Sequence, residues 1–191
     1  MMKNNKGYSL VEVMIVLAIL AVVSGLATLT ISMIASARAT AAANQLNAEI
    51  GGLYTNTMSK SPELCLRVYK NSTDGCYYVE RGVTDDGTVS TFYTPAKGTA
   101  KYDEYFNYEY SNKPINLNKR ITIYYNGTEI PESDPAGGTS GSALDGILIQ
   151  FNKSGGNVKH GAGEFKVTKE AGTRAYGTVC LNETTGGHYV K

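Results

Sequence analysis

Read for hydropathy alone, the chain falls into three stretches. Residues 13–37 contain no Asp, Glu, Lys or Arg, and residues 13–23 are unbroken apolar sequence. A charge-free run of that length is enough to cross the hydrocarbon core of a bilayer as a helix. The next stretch, residues 35–43, is rich in alanine, the strongest helix former. Leu46, Ile50, Leu53 and Tyr54 follow at helical spacing and form a narrow apolar stripe. The pattern predicts one long helix, apolar all round in its first half and one-sided in its second. Those are the signatures of a lipid- or bundle-embedded helix and of a helix packed on a domain. Taken to Tyr54 it would be roughly 70 Å long. Ser24-Gly25 is a candidate flexible point, and Gly51-Gly52 is expected to end or kink the helix.

Beyond Met58 the pattern changes to short β-rich runs separated by turn residues. Residues 76–81 and 89–94 flank Asp85-Asp86-Gly87 and are expected to form a hairpin. Residues 120–125 followed by Asn126-Gly127 give the clearest strand-and-turn signal. Residues 131–142, rich in Gly, Pro and Ser, are expected to be an exposed loop. The last fifty residues predict a compact sheet, with strands at 147–151, 164–169 and 174–181. The turn at 184–187 then leads into a final strand. The whole is α+β: a long N-terminal helix followed by a mainly antiparallel β head.

Composition narrows the function. The chain has 191 residues, suited to one globular domain plus an anchor, with 18 basic and 17 acidic side chains. Beyond Lys3 and Lys6 there is no basic run, so the electrostatic footprint of a dedicated nucleic-acid binder is missing. His160 and His188 flank glycine-rich turns, and no serine lies in a Gly-x-Ser-x-Gly elbow. The Gly-rich loop lacks the Gly-Lys-Ser/Thr ending of a phosphate-binding loop. Asp85-Asp86-Gly87 lacks EF-hand spacing. No enzyme chemistry, cofactor or metal site is expected.

The most informative residues are Lys6-Gly7-Tyr8-Ser9-Leu10-Val11-Glu12. They place one acid just inside the apolar helix, where a carboxylate costs about 2.5–3.5 kcal/mol on insertion scales unless it is partnered or snorkels to the headgroups. The string resembles the type IV prepilin signature: a short basic leader, a glycine, an aromatic, a Ser/Thr-Leu pair and a glutamate five residues after the glycine. Lys3, Lys6, Gly7, Ser9, Leu10 and Glu12 match, and Tyr8 stands where phenylalanine is more usual. An ordinary secretory signal has a shorter apolar core that is removed on cleavage.

The resemblance implies a leader of residues 1–7 cut after Gly7 by a prepilin peptidase, with Tyr8 as the N-methylated new N-terminus. It implies a helix over residues 8–58, transmembrane to about residue 34, and an extracytoplasmic head over residues 59–191. Glu12 would meet the N-terminus of a neighbouring subunit during assembly. The implied partners are the peptidase, other pilin subunits, the cytoplasmic membrane and an assembly platform protein. The implied location is the cytoplasmic membrane before assembly and a surface pilus or periplasmic pseudopilus after it. The expected function is structural, as a minor pilin. The alternatives are a pseudopilin of a type II secretion or competence system, and a filament-tip adhesin.

Three further features stand apart from that signature. An exported head permits disulfides among Cys65, Cys76 and Cys180. Cys65–Cys76 is the expected pair; Cys180 bonded to either one, or three free thiols, are the alternatives. Asn-x-Ser/Thr triplets occur at Asn71, Asn126 and Asn182. The tyrosines concentrate between Tyr69 and Tyr125, and Tyr102, Tyr105, Tyr108 and Tyr110 form a candidate contact surface.

Overall fold

A computed structural model of the chain describes residues 9–60, 63–84, 87–95, 113–118, 120–135, 144–170 and 172–191, without the side chains of residues 26–32 and Ser90. The cleavage position at Gly7 and Tyr8, the aspartates of the 85–87 turn, most of the glycine-rich loop and the tyrosines of residues 102–110 lie outside the described residues. The chain forms two compact units, Met1–Ala35 and Ser36–Lys191.

Helix α1 runs from Leu10 to Ser59, 50 residues. Over residues 10–25 of the first unit its apolar side chains are exposed. Among the described residues, no helix is long and apolar enough to cross a membrane. In the second unit Ala39, the adjacent pair Ala42 and Ala43, Leu46, Ile50, Leu53 and Thr57 are buried at successive steps of three or four residues, so one face enters the core. Gly51-Gly52 do not end the helix. A Cβ at Gly51 would lie 3.0 Å from Nε2 of His188, so this glycine makes room for a close neighbour.

Among the described residues the head forms two sheets. The first contains β1 (Leu64–Asn71), β2 (Tyr77–Val83), β3 (Ile115–Asn116), β6 (Glu132–Ser133), β7 (Ile147–Phe151) and β8 (Val158–His160). Its order is β3-β2-β1-β7-β8, with β6 parallel to the end of β1. The second contains β4 (Ile121–Tyr125), β5 (Thr128–Glu129), β9 (Gly163–Lys169), β10 (Ala175–Leu181) and β11 (His188–Val190), in the order β11-β10-β9-β4-β5. Both sheets and the buried face of α1 share one core. It joins Leu46 and Ile50 to Leu66, Val79, Ile123, Phe151, Phe165 and Val179. The architecture is α+β, as the pattern predicts. The last fifty residues, however, do not make a sheet of their own, because β7 and β8 join the first sheet and β9–β11 the second.

One turn design recurs at residues 71–76, 152–157 and 182–187. In each, the asparagine N–H donates to the carbonyl of the sixth residue, at 2.8 Å, 2.9 Å and 2.9 Å. The fifth residue is a glycine at positive φ: Gly75 at 67°, Gly156 at 69° and Gly186 at 67°. Two of these turns meet where the sheets join. A Cβ on Gly186 would fall 1.9 Å from the Gly156 carbonyl oxygen. Val158 N–H donates to the Glu183 carbonyl at 2.9 Å across the same seam. Asn126 (φ 48°) and Gly127 (φ 88°) give the β4–β5 turn the two left-handed residues of a type I′ hairpin.

Residues 89–94 do not form the expected strand. Val89–Thr91 is a 3-10 turn, and Tyr93 makes a single bridge to Val83. Threonine hydroxyls compete for the backbone here. Thr84 Oγ1 lies 2.7 Å from Thr91 Oγ1 and accepts from Gly87 N–H at 3.0 Å. Phe92 then folds over Gly82, where a Cβ would strike its ring at 2.5 Å.

Candidate processing and assembly site

The start of α1 is held by two residues of the N-terminal signature. Ser9 N–H donates to Glu12 Oε2 at 3.2 Å, and Glu12 N–H donates to Ser9 Oγ at 3.3 Å. This reciprocal pair is a capping box, Ser at the N-cap and Glu three residues on, and it satisfies two of the donors a helix start leaves open. Glu12 also places a negative charge in the first turn, where the helix dipole favours it. The expectations from sequence concerned its cost in an apolar segment and its meeting with a neighbouring subunit's N-terminus, not a helix cap. The Ser-x-x-Glu spacing was the signal that would have revealed the cap. Around it the apolar side chains stand open: Leu10 is 76 % exposed, Val11 63 % and Met14 62 %. Glu12 is thus a polar point, satisfied within its own chain, on an otherwise greasy surface.

The expected Cys65–Cys76 disulfide is not formed; all three cysteines are buried thiols. The register of the first hairpin explains why. Cys65 pairs with Gly82, whereas Cys76 sits at the turn, with its carbonyl accepting from Asn71. The two are six residues apart along β1, about 20 Å at 3.3 Å per residue. A disulfide spans at most about 7 Å between Cα atoms. Burial pushes the Cys65 thiol well above its ordinary pKa, so it is an inert thiol. Cys180 lies 3.6 Å from Glu164 Oε1, which also receives Lys191 Nζ at 2.8 Å.

One buried charge cluster of the head is structural. Arg67, fully buried in β1, donates to Glu80 Oε2 at 2.9 Å, to the Asp134 carbonyl at 2.5 Å and to Ser133 Oγ at 3.4 Å. Its guanidinium also lies 4.1 Å from the centre of the Tyr69 ring. A buried arginine so enclosed ties β1, β2 and β6 together and offers nothing to a ligand. Between α1 and β1, Ala48, Gly52, Asn56, Leu64 and Leu66 line a cavity of about 130 Å³ under the Arg81–Glu49 ion pair. That is below the roughly 300–1,000 Å³ of small-molecule sites. Among the described residues no group of three or more His, Cys, Asp or Glu is placed to hold a metal.

The asparagines of the Asn-x-Ser/Thr triplets at Asn71, Asn126 and Asn182 are turn residues whose carboxamide oxygens are in use, and Asn152-Lys153-Ser154 is a fourth such triplet, in the 152–157 turn. Asn71 Oδ1 accepts from Thr73 N–H at 2.8 Å, Asn126 Oδ1 from Glu164 N–H at 2.9 Å, and Asn182 Oδ1 from Thr184 and Thr185 N–H at 3.0 Å.

No curated protein and no solved structure matches the chain. A family model does, and it covers the helix start just described: the prokaryotic N-terminal methylation motif matches residues 2–28. The chain therefore carries at its N-terminus the methylation motif that is the signal of type IV pilins and pseudopilins, which implies processing by a prepilin peptidase and a structural rather than catalytic role.

Proposed function

We propose that the chain is a structural subunit, a minor pilin, of a type IV pilus-like filament. The observation that carries this is the methylation motif at residues 2–28, continuous with a helix capped by the motif's own Ser9 and Glu12. Cleavage after Gly7 frees an α-amino group on Tyr8, which is N-methylated, immediately before the cap. Residues 13–37 then anchor the subunit in the cytoplasmic membrane, their charge-free sequence being the support for that placement. An assembly platform protein passes it into the filament.

In that environment two isolated charges are costly, and pairing them offsets the cost. Glu12 pairs with the positive N-terminus of a neighbouring subunit and favours entry in the correct axial register. Until then the Ser9 cap supplies its partners. The head, with its own shared core, is carried outside the helical bundle.

Glu12→Gln keeps the size and a capping oxygen but removes the charge. Its expected result is normal insertion and cleavage with strongly reduced incorporation into filaments, read by comparing membrane and sheared-filament fractions. Incorporation at the level of the unmodified protein would remove this role from Glu12. In sheared filaments the chain is expected at a small fraction of the major subunit. Its absence there, with function in secretion or DNA uptake, would favour a pseudopilin instead.

A further inference from the structure

Strand β10 runs in the same direction as the second half of α1. Thr40 Oγ1 donates to the Tyr176 carbonyl at 3.2 Å. A Cβ on Gly177 would lie 2.6 Å from that of Ala43. Further along, the His188 and Tyr54 rings are 6.5 Å apart. The start of β10, with Arg174 just before it, therefore lies level with residues 36–40. Ser36 follows directly on the first unit, and Arg38 is the first charged residue after Glu12.

That end of the head is basic. Lys169 Nζ lies 5.5 Å and Arg174 Cζ 5.8 Å from the centre of the Tyr176 ring. Arg120 adjoins them, its carbonyl accepting from Glu170 N–H at 2.9 Å. Arg38, Arg120 and Arg174 are exposed, and Glu170 is the exposed acid beside them. Hydrogen bonds with Ser36 and Lys169, and then the charges of Lys169 and Arg174, push the Tyr176 phenol below its ordinary pKa, as a positive local potential requires. Nothing in the filament reading uses this rim.

We propose that this rim, Arg38, Arg120, Lys169 and Arg174 around Tyr176, docks on anionic phospholipid headgroups while the subunit waits in the membrane. It rests on the reading that residues 13–37 lie in the bilayer. Basic side chains and tyrosine are the residue types that settle at a membrane interface. Each Lys or Arg beside an anionic surface contributes about fivefold in association. Contact with the headgroups would hold the head against the membrane, and entry into a filament would release it.

The full-length chain, incorporated into nanodiscs of phosphatidylcholine alone or mixed with phosphatidylglycerol, is followed by amide hydrogen exchange. Residues 172–176 are expected to exchange at least about fivefold more slowly in the anionic discs. The difference should vanish at high salt and in Arg38→Gln/Arg174→Gln, whose two side chains are exposed and whose loss leaves the core intact. Equal exchange in both discs, or slowing that persists in the double variant, would overturn the lipid contact alone. Failure to enter either disc would overturn the membrane reading and the contact with it.

Discussion

The two halves of α1 are one helix made for opposite surroundings. Between residues 10 and 23 the apolar side chains are exposed by about half or more: Leu17 60 %, Ile19 58 %, Val22 64 %. From Ala39 onward the residues of one face, Ala39, Ala42, Ala43, Leu46 and Ile50, are fully buried. Helices of this kind take most of their stability from packing an apolar face rather than from propensity. The second half finds that packing inside its own chain. The described apolar side chains of the first half, residues 10–25, are exposed, and on the proposed function they find that packing in lipid and in neighbouring subunits.

A matched pair of truncations breaks or confirms this contrast. Ile50→Ala is expected to cost about 2–5 kcal/mol of head stability, as core truncations do. Ile19→Ala in the detergent-solubilised subunit should change head unfolding by less than about 0.5 kcal/mol. Equal losses in denaturant melts would mean the first half also packs on its own chain. Next in size is Gly177→Val, which puts a branched side chain where a single Cβ already meets Ala43 at 2.6 Å. Overpacking of this kind costs about 1–3 kcal/mol. Gly25→Val, where a Cβ would meet nothing within 4 Å, is expected to leave head unfolding unchanged.

A smaller effect is expected at the helix start. Ser9→Ala removes one arm of the capping box, worth about 1 kcal/mol locally. Faster amide exchange at residues 9–13 with an unchanged head melt is the expected signature. Unchanged exchange there would mean the cap contributes nothing. The smallest is a pH dependence confined to the head. The Tyr77 hydroxyl, at 2.8 Å, with Lys70 beyond it, holds the Glu129 carboxyl below its usual range. Because the folded pKa is depressed, this stability is complete above the unfolded value and is lost as pH falls through the folded one. Glu129 is 45 % exposed, so the change should be about 0.5 kcal/mol. Glu129→Gln should flatten the acid side of the stability profile by that amount; an identical profile would show the pair to be idle.

What the sequence made legible follows the same divide. The helix, the methylation signal and the Asn126-Gly127 hairpin are local: spacing, a short motif, and two residues that tolerate positive φ. The three asparagine-to-glycine turns were also local, but appeared as separate glycine turns and triplets because the shared hydrogen-bond pattern shows only in three dimensions. Strand β1 was hidden by Arg67, a charge in mid-strand whose burial depends on Glu80, thirteen positions away along the chain and across the hairpin. Residues 89–94 have strand-forming composition, yet threonine hydroxyls and the burial of Phe92 turned the backbone aside. The expected disulfide failed because loop length along the chain does not reveal hairpin register. Assignment of β7–β8 and β9–β11 to different sheets is a choice among non-local partners, which no local pattern encodes.

The central claim is that the first half of α1 begins a processed, methylated filament subunit. Intact mass and N-terminal sequencing of the protein from its native membrane, with and without the prepilin peptidase, test it most directly. The account requires a chain beginning at Tyr8 and carrying one added methyl group only when the peptidase is present. A chain retaining Met1 or Met2 in both cases would contradict it, and Glu12 would then be no more than a helix cap on a tethered surface protein.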